Sequence, residues 1–491
     1  MRIGTQYFRP PNPEPEVWDH DLKQIADLGM SLVRCWVYWR HVEPSEGDWA
    51  WDDYDRFMNL AGQNNLSVVM QLIPECQPNW FLQRHRSCWP RNEHDQEYGQ
   101  EGYGMVTIGG YPGIAFDQPP AEEGIARFFH KVVERYHDHP AMDTWDVWNE
   151  IQPHSSFISY DPCTTDRWHE FLKTKFSTIE NLNRRMLTQY DDISQIPMVR
   201  SSVSFTGPQQ WQVLFAEFRY WRLEQEMARR SRLLKTIDAV HPVVAHSSNT
   251  PLTNVAQNEW QLVSHLDGYG TIQYLTEYTT KESADYRYAA MYYTVARSMA
   301  HGKPMWLSEH AGGPTYYQYG HASKTAAEIR SNLLLALGHG AEAAIFWQYR
   351  NERLGEEAPS WGLVNLDGSC NERTSGLADI SLAIKNEKAF LEGARVVPAA
   401  IGVLTDHRTL LYEHASQAWV KQGVSAGWAA EELTVGIMEA GLHVDIHHAY
   451  HVEREGVPEH CRLLFLPIRT SLSDATIASL LTWVEQGGTL V

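Results

Sequence analysis

Met142-Asp143-Thr144-Trp145-Asp146-Val147-Trp148-Asn149-Glu150 is the stretch on which the reading of this 491-residue chain turns. It is rich in large and aromatic residues and follows Pro140, so it reads as a strand over Met142–Asn149 that ends on a carboxylate. The segment before it has a different period. After Pro119-Pro120, the residues Ile125, Phe128, Phe129, Val132, Val133 and Tyr136 recur at helical spacing and form one apolar stripe. Helix followed by strand is half of a crossover unit, and the same alternation extends both ways. Upstream strands are expected at Arg2–Tyr7, Leu32–Trp39 and Ser67–Ile73, with a helix over Val17–Leu28 stopped by Gly29. Downstream strands are expected at Val243–Ser248, Leu266–Tyr274, Pro304–Ser308 and Ala343–Tyr349. Eight strands separated by helices predict an α/β protein built on a closed (β/α)8 TIM barrel over residues 1–393, with a helical insertion at about 165–238.

Near Gly393 the pattern changes. Val396–Leu404, Val444–His447 and Arg462–Pro467 read as strands, and Trp428–Ala440 and Asp474–Glu485 as helices; Thr489-Leu490-Val491 begins another strand. This predicts a smaller doubly wound α/β domain over residues 394–491. A strand cut at its start leaves pairing groups open, so the domain is expected to be incomplete at its C-terminus and the natural chain to continue past Val491.

Composition narrows the function classes. A formal charge of −20 argues against nucleic acid and anionic membranes, which need an electropositive face. No apolar run approaches the roughly 18 residues that span a bilayer. Met1 leads straight into strand-like sequence with no leader pattern, so a cytoplasmic location is expected. Six scattered cysteines (Cys35, Cys76, Cys88, Cys163, Cys370, Cys461) form no C-x-x-C pair, which argues against disulfides and a zinc cluster. No metal and no cofactor is expected. Nineteen tryptophans are heavy usage, and indole faces suit stacking on the C–H face of a sugar as well as filling a core.

Barrel enzymes carry their working groups at the C-terminal ends of the strands. Glu150 ends the fourth strand; Glu309, in Lys303-Pro304-Met305-Trp306-Leu307-Ser308-Glu309-His310, ends the seventh. Two carboxyls facing each other across a barrel mouth at about 5–5.5 Å make the nucleophile and acid/base of a retaining glycosidase. Trp145 and Trp148 are expected to surround Glu150 with apolar groups, raising its pKa to suit a proton donor. Arg34 on the second strand is the candidate cation that keeps Glu309 ionised, and Tyr274 the candidate hydroxyl that orients it. Asn149 is placed to bond a sugar 2-hydroxyl, and Trp347, ending the eighth strand, to form a stacking floor. His310 is expected at the rim as a hydrogen-bonded group.

With these residues in place the chain resembles glycoside hydrolase family 42, the β-galactosidases of the Glu/Glu barrel clan, over nearly its whole length. The likeness runs through Trp18-x-x-Asp21-Leu22, Gly29-Met30-x-x-Val33-Arg34, Glu43-Pro44-x-x-Gly47, Trp148-Asn149-Glu150, Lys303-Pro304-x-Trp306-x-x-Glu309, Phe346-Trp347-x-x-Arg350 and Gly355-x-Glu357. The resemblance implies a retaining exo-acting β-galactosidase with Glu150 as acid/base, Glu309 as nucleophile, Asn149 as a 2-hydroxyl contact and Glu357 as a sugar-binding glutamate. It also implies a trimerisation domain after the barrel, and hence a homotrimer; the small β-domain that follows in the family is missing. Three departures stand out. Ser360 replaces a histidine, Gly109-Gly110-Tyr111-Pro112 replaces a segment that supplies a sugar-binding arginine, and the family's cysteine zinc cluster is absent. Altered pocket groups change which hydroxyls are recognised. Mannose, glucose or arabinopyranose therefore stay open as the sugar, as do transglycosylase or phosphorylase chemistry and a non-catalytic carbohydrate-binding barrel.

Overall fold

The computed structural model describes residues 1–97, 113–151, 158–200, 209–247, 252–274, 286–314, 324–353, 357–416, 425–467 and 471–491. Eight parallel strands close into a barrel in sequence order: β1 (Arg2–Phe8), β2 (Leu32–Tyr38), β3 (Ser67–Ile73), β4 (Met142–Asp146), β5 (Val243–Ser247), β6 (Gly268–Ile272), β7 (Met305–Ala311) and β8 (Ala341–Trp347), with β8 pairing back onto β1. The eight expected strands are all present, with ends displaced by a few residues. β4 stops at Asp146, short of its expected end, and Asn149 and Glu150 lie in the turn beyond it.

Side chains alternate across each strand, so every second residue points into the barrel. That period sorts the interior into layers. Leu32, Val69, Val244, Trp306, Ala343 and Ile345 pack as an apolar plug at the N-terminal end. Two residues further along their strands stand Arg34, Gln71 and His246, all fully buried. Beyond these, Trp36, Ile73, Ile272, Tyr274, Trp347 and Trp361 form an aromatic cluster at the C-terminal mouth. A polar layer between two apolar ones survives only if its groups satisfy one another.

Two glycines make this geometry possible. Gly29 ends the helix Trp18–Asp27 with φ +85°, the left-handed conformation that a Cβ disfavours. Gly270, inside β6, faces Ser308 and His246; an added Cβ would collide with the Ser308 hydroxyl and lie 2.7 Å from the His246 Cβ.

Between β4 and β5 the chain inserts the helices Pro162–Phe176, Ile179–Met186 and Gln209–Lys235. Asp161 and Thr178 cap the first two by accepting from Thr164 N and Asn181 N. Trp168, Phe171, Leu172, Leu182 and Phe218 give the insertion its own small core.

A second parallel sheet is built from β9 (Ile401–Thr405), β10 (Val444–His448), β11 (Leu463–Phe465) and β12 (Thr489–Leu490), in the order β10-β9-β11-β12. β9 starts five residues later than the sequence predicts. Pro398 has no N–H to give a ladder and Val397 is 73% exposed, so residues 396–400 form a linker. Two crossover helices, His407–Ser416 and Ala449–Glu455, have no counterpart in the sequence-based expectation. No helix among the described residues is long and apolar enough to cross a membrane.

Candidate active site

Glu309 lies on β7, where the pairing register shifts between Leu307 and His310. A bulge of this kind frees backbone groups and re-aims a side chain. Here the Ser308 carbonyl accepts from Arg34 Nη1 at 3.3 Å, while Glu309 turns inward and is 4% exposed. Its two oxygens have separate partners. Oε1 accepts from Arg34 Nη2 at 2.5 Å and lies 3.5 Å from His246 Nε2; Oε2 accepts from the Tyr274 hydroxyl at 2.7 Å. Burial alone would raise the Glu309 pKa. The Arg34 guanidinium, His246 and the Tyr274 hydroxyl outweigh it and hold the carboxyl down at about 2.

These partners are themselves fixed by the polar layer. Arg34 Nε donates to Gln6 Oε1 at 2.8 Å, and Arg34 Nη1 lies 3.9 Å from Asp146. His246 Nδ1 faces Asp146 Oδ2 at 3.3 Å. Burial would lower the His246 pKa, but Asp146 and Glu309 raise it to about 9, so the ring is a second cation beside Glu309 at neutral pH.

Glu150 meets the opposite conditions. It follows β4 with φ +38°, a strained conformation for a residue with a Cβ, and Ile151 N then bonds the His246 carbonyl at 2.9 Å. Burial, followed by the charge on Glu309, pushes its pKa up to about 8; His246 and Arg34 oppose this without reversing it. The expected role of Trp145 in that rise is not seen. Strand alternation points Trp145 outward, where its Nε1 donates to Asp238 at 2.8 Å. Trp148 stacks on the Arg230 guanidinium at 4.0 Å. Arg230 also donates to the Val147 carbonyl at 3.1 Å and to Glu75 at 2.6 Å, while Glu226 braces it at 2.9 Å. The inserted helix thus holds the turn carrying Trp148, Asn149 and Glu150 from behind.

The remaining candidates are placed as follows. Asn149 accepts from Gln71 Nε2 at 3.3 Å across the β3–β4 edge. Trp347 lies in the mouth cluster, with Trp36 at 5.3 Å between ring centroids and the Arg9 and Arg34 guanidinium carbons 4.6 and 5.6 Å from its ring. Glu357 is partly exposed and accepts from Arg9 Nη2 at 2.6 Å; burial raises its pKa while Arg9 resists. Arg9 is shared with the fully buried Glu352. Ser360 is buried three residues on, its N–H bonded to the Glu357 carbonyl at 2.7 Å. His310 is not at the rim. It points away from Glu309, buried against Phe346 with Asn332 Nδ2 at 3.3 Å, and burial lowers its pKa to about 3. Gly109–Pro112 and Gly355 lie outside the described residues. Sequence reasoning misses Gln6, Gln71, Asp146, His246, Arg9 and Glu352, although each is a polar residue in or beside an apolar strand.

A carboxyl held protonated near neutrality after β4 and another held ionised on β7, at the C-terminal mouth of a parallel (β/α)8 barrel beside the Trp36 and Trp347 indoles, are the acid and the anion that cleavage of a glycosidic bond calls for. The family model described as Beta-galactosidase, that of glycoside hydrolase family 42, matches residues 7–385, and the chain belongs to this family. Among curated relatives it is 23% identical over 357 residues to a β-galactosidase of Geobacillus kaustophilus, covering 70% of this chain and 50% of that one. It is 22% identical over 524 residues to a β-galactosidase of Haloferax lucentense, covering 100% of this chain and 72% of the relative. The chain thus spans about half the length of the first of these. A solved polyextremophilic β-galactosidase from Halorubrum lacusprofundi shares the fold with a TM-score of 0.88 at 21% identity, covering 100% of this chain and 72% of that one.

Proposed function

We propose that the chain is a retaining, exo-acting β-galactosidase. Glu309 attacks the anomeric carbon as nucleophile while Glu150 passes its proton to the departing glycosidic oxygen. Glu150, now a carboxylate, then takes a proton from the water that releases the sugar from Glu309. The observation that carries this reading is the divergence of the two carboxyls, Glu150 at about 8 and Glu309 at about 2. Each starts in the protonation state its step requires. Asn149 contacts the 2-hydroxyl, Trp347 supplies the stacking floor, and Glu357, held by Arg9, binds a hydroxyl further out. Buried donors on Trp36, Trp361 and Gln348 have no partner among the described residues, which suits a ligand rich in hydroxyls. The relatives named as β-galactosidases favour galactose, and the division at residue 393 and trimeric assembly go with the same reading.

A panel of p-nitrophenyl β-glycosides tests it, with the galactoside expected to turn over fastest. Ser360, where the family has histidine, is the specific reason to include the mannoside, glucoside and arabinopyranoside. Glu309→Ala is expected to abolish turnover, and added azide to restore it with an inverted glycosyl azide as product. Retention in that product, or no turnover of any glycoside by the unaltered chain, overturns the proposal.

A further inference from the structure

The other end of the barrel carries a second group of ligating side chains. His301 follows the helix Tyr286–Ala300 with φ +50°, in the turn that leads into β7. His451 and Glu455 lie one turn apart on the helix Ala449–Glu455, which follows β10 of the second sheet. The His301 and His451 rings stack at 3.8 Å with 7° between their planes. Glu455 reaches both: its Oε2 lies 2.9 Å from His301 Nε2 and its Oε1 3.5 Å from His451 Nδ1. One donor atom from each of the three lies within 4.8 Å of the others. They border a cleft of about 1120 Å³ between the barrel floor and the second sheet, which His447 and His460 also line.

We propose that His301, His451 and Glu455 bind a divalent cation of the zinc class, which staples the floor of the barrel to the domain of the second sheet. Two imidazoles and one carboxylate are a set that zinc accepts, leaving a fourth position for water. Bonds of about 2.1 Å in tetrahedral array put ligand atoms about 3.4 Å apart. The separations of 2.9 and 3.5 Å from Glu455 bracket that edge, and binding turns the two stacked rings out of their parallel arrangement so that both lone pairs meet the ion. Both ring nitrogens of His451 are buried, and apart from the 3.5 Å approach of Glu455 to Nδ1 neither has a hydrogen-bond partner among the described residues. Arg454, the cation nearest on the same helix, is turned to Tyr450 instead, its guanidinium 3.6 Å from that ring and bonded to the Tyr450 carbonyl at 2.6 Å. His301 and Glu455 are 43% and 53% exposed, which gives the ion a way in. The sequence hides the group because His301 stands far along the chain from His451 and Glu455.

Equilibrium dialysis of the chelator-stripped full chain against zinc chloride tests this. One zinc ion per chain is expected, with cobalt(II) in its place giving the visible absorption of tetrahedral coordination. Zinc is also expected to raise the melting temperature. His451→Ala and Glu455→Gln should each weaken uptake by at least about tenfold, on the scale of disturbed metal-site ligation. The Glu455 side chain is exposed enough for that variant to keep its fold, which circular dichroism checks. His460→Ala, in the same cleft but outside the triad, should bind as the unaltered chain does. No saturable uptake, or uptake unchanged in His451→Ala and Glu455→Gln, overturns the site. So does a melting temperature that falls in Glu455→Gln while zinc moves neither protein, the signature of an ion pair alone.

Discussion

Replacing Arg34 by methionine removes the group on which the ionisation of Glu309 most depends. Arg34 is fully buried, 2.5 Å from Glu309, and is the leading cause opposing the burial that would otherwise raise that carboxyl. Glu309 is held at about 2 against an ordinary value of 4.5. At about 1.4 kcal/mol for each pH unit, the setting favours the ionised form by about 3 kcal/mol. Because the folded value is depressed, this stability is present above the ordinary carboxylate range and is lost as pH falls through about 2. Breaking a buried ion pair from one side costs about 3–5 kcal/mol, which agrees. Arg34→Met should therefore lower stability by about 3 kcal/mol at pH 7, read from urea unfolding. The acidic limb of kcat/KM should move up into the ordinary carboxylate range. At pH 7, kcat/KM for a nitrophenyl galactoside should fall by at least about a hundredfold, the scale seen when a preorganised electrostatic contact is lost. An unmoved acidic limb with kcat/KM within about threefold of the unaltered enzyme would refute the reasoning.

Three further outcomes are expected of the same network. Glu150→Gln should erase the alkaline limb of kcat/KM near pH 8 and slow alkyl galactosides far more than dinitrophenyl ones; equal losses on both would rule out proton donation. Tyr274→Phe deletes the donor to Glu309 Oε2, and at about 1.5–3 kcal/mol for a charged hydrogen bond kcat should drop roughly tenfold to a hundredfold, checked by steady-state kinetics. Glu226, held down at about 2 by Arg229 and Arg230 against the effect of burial, braces the arginine behind Trp148. Glu226→Ala should cost about 3–5 kcal/mol above the ordinary carboxylate range, measured by unfolding at pH 7, with the loss shrinking as the pH is lowered toward 2.

The eight barrel strands are legible in the sequence because a parallel strand covered on both faces must be apolar almost throughout, and segments such as Leu32–Tyr38 and Ser67–Ile73 are. The strand ends that deliver Glu150 and Glu309 are legible for a related reason: a charged group closing such a run is carried into a crowded barrel mouth, where it must find a partner or a substrate. Two features are hidden. The short helix Ala449–Glu455 lacks the length for a clear apolar stripe, and its placement comes from packing across the second sheet. The polar layer is hidden because its members are scattered over β1 to β5, one per strand. Arg34 and Gln71 stand among apolar neighbours in β2 and β3, while Gln6, Asp146 and His246 share their strands with other polar residues, so no single run marks the layer. Only the closed sheet turns those five residues into one network, although an isolated polar residue in mid-strand, as at Arg34 and Gln71, is itself a signal worth following. Trp145 is deceptive in the same way: its position beside Asp146 in sequence puts it on the opposite wall of the strand.

The positive φ at Glu150 sets durability against chemistry at a single position. A left-handed backbone with a side chain attached stores about 1–3 kcal/mol, and glycine there would release it while deleting an acid that resists ionisation. A library filtered only for survival of heating should accumulate Glu150→Gly, and the hardiest clones should be inert toward every glycoside. Anyone evolving this scaffold for robustness has to select for turnover in the same round, or the search will run downhill into well-folded barrels with nothing left to donate.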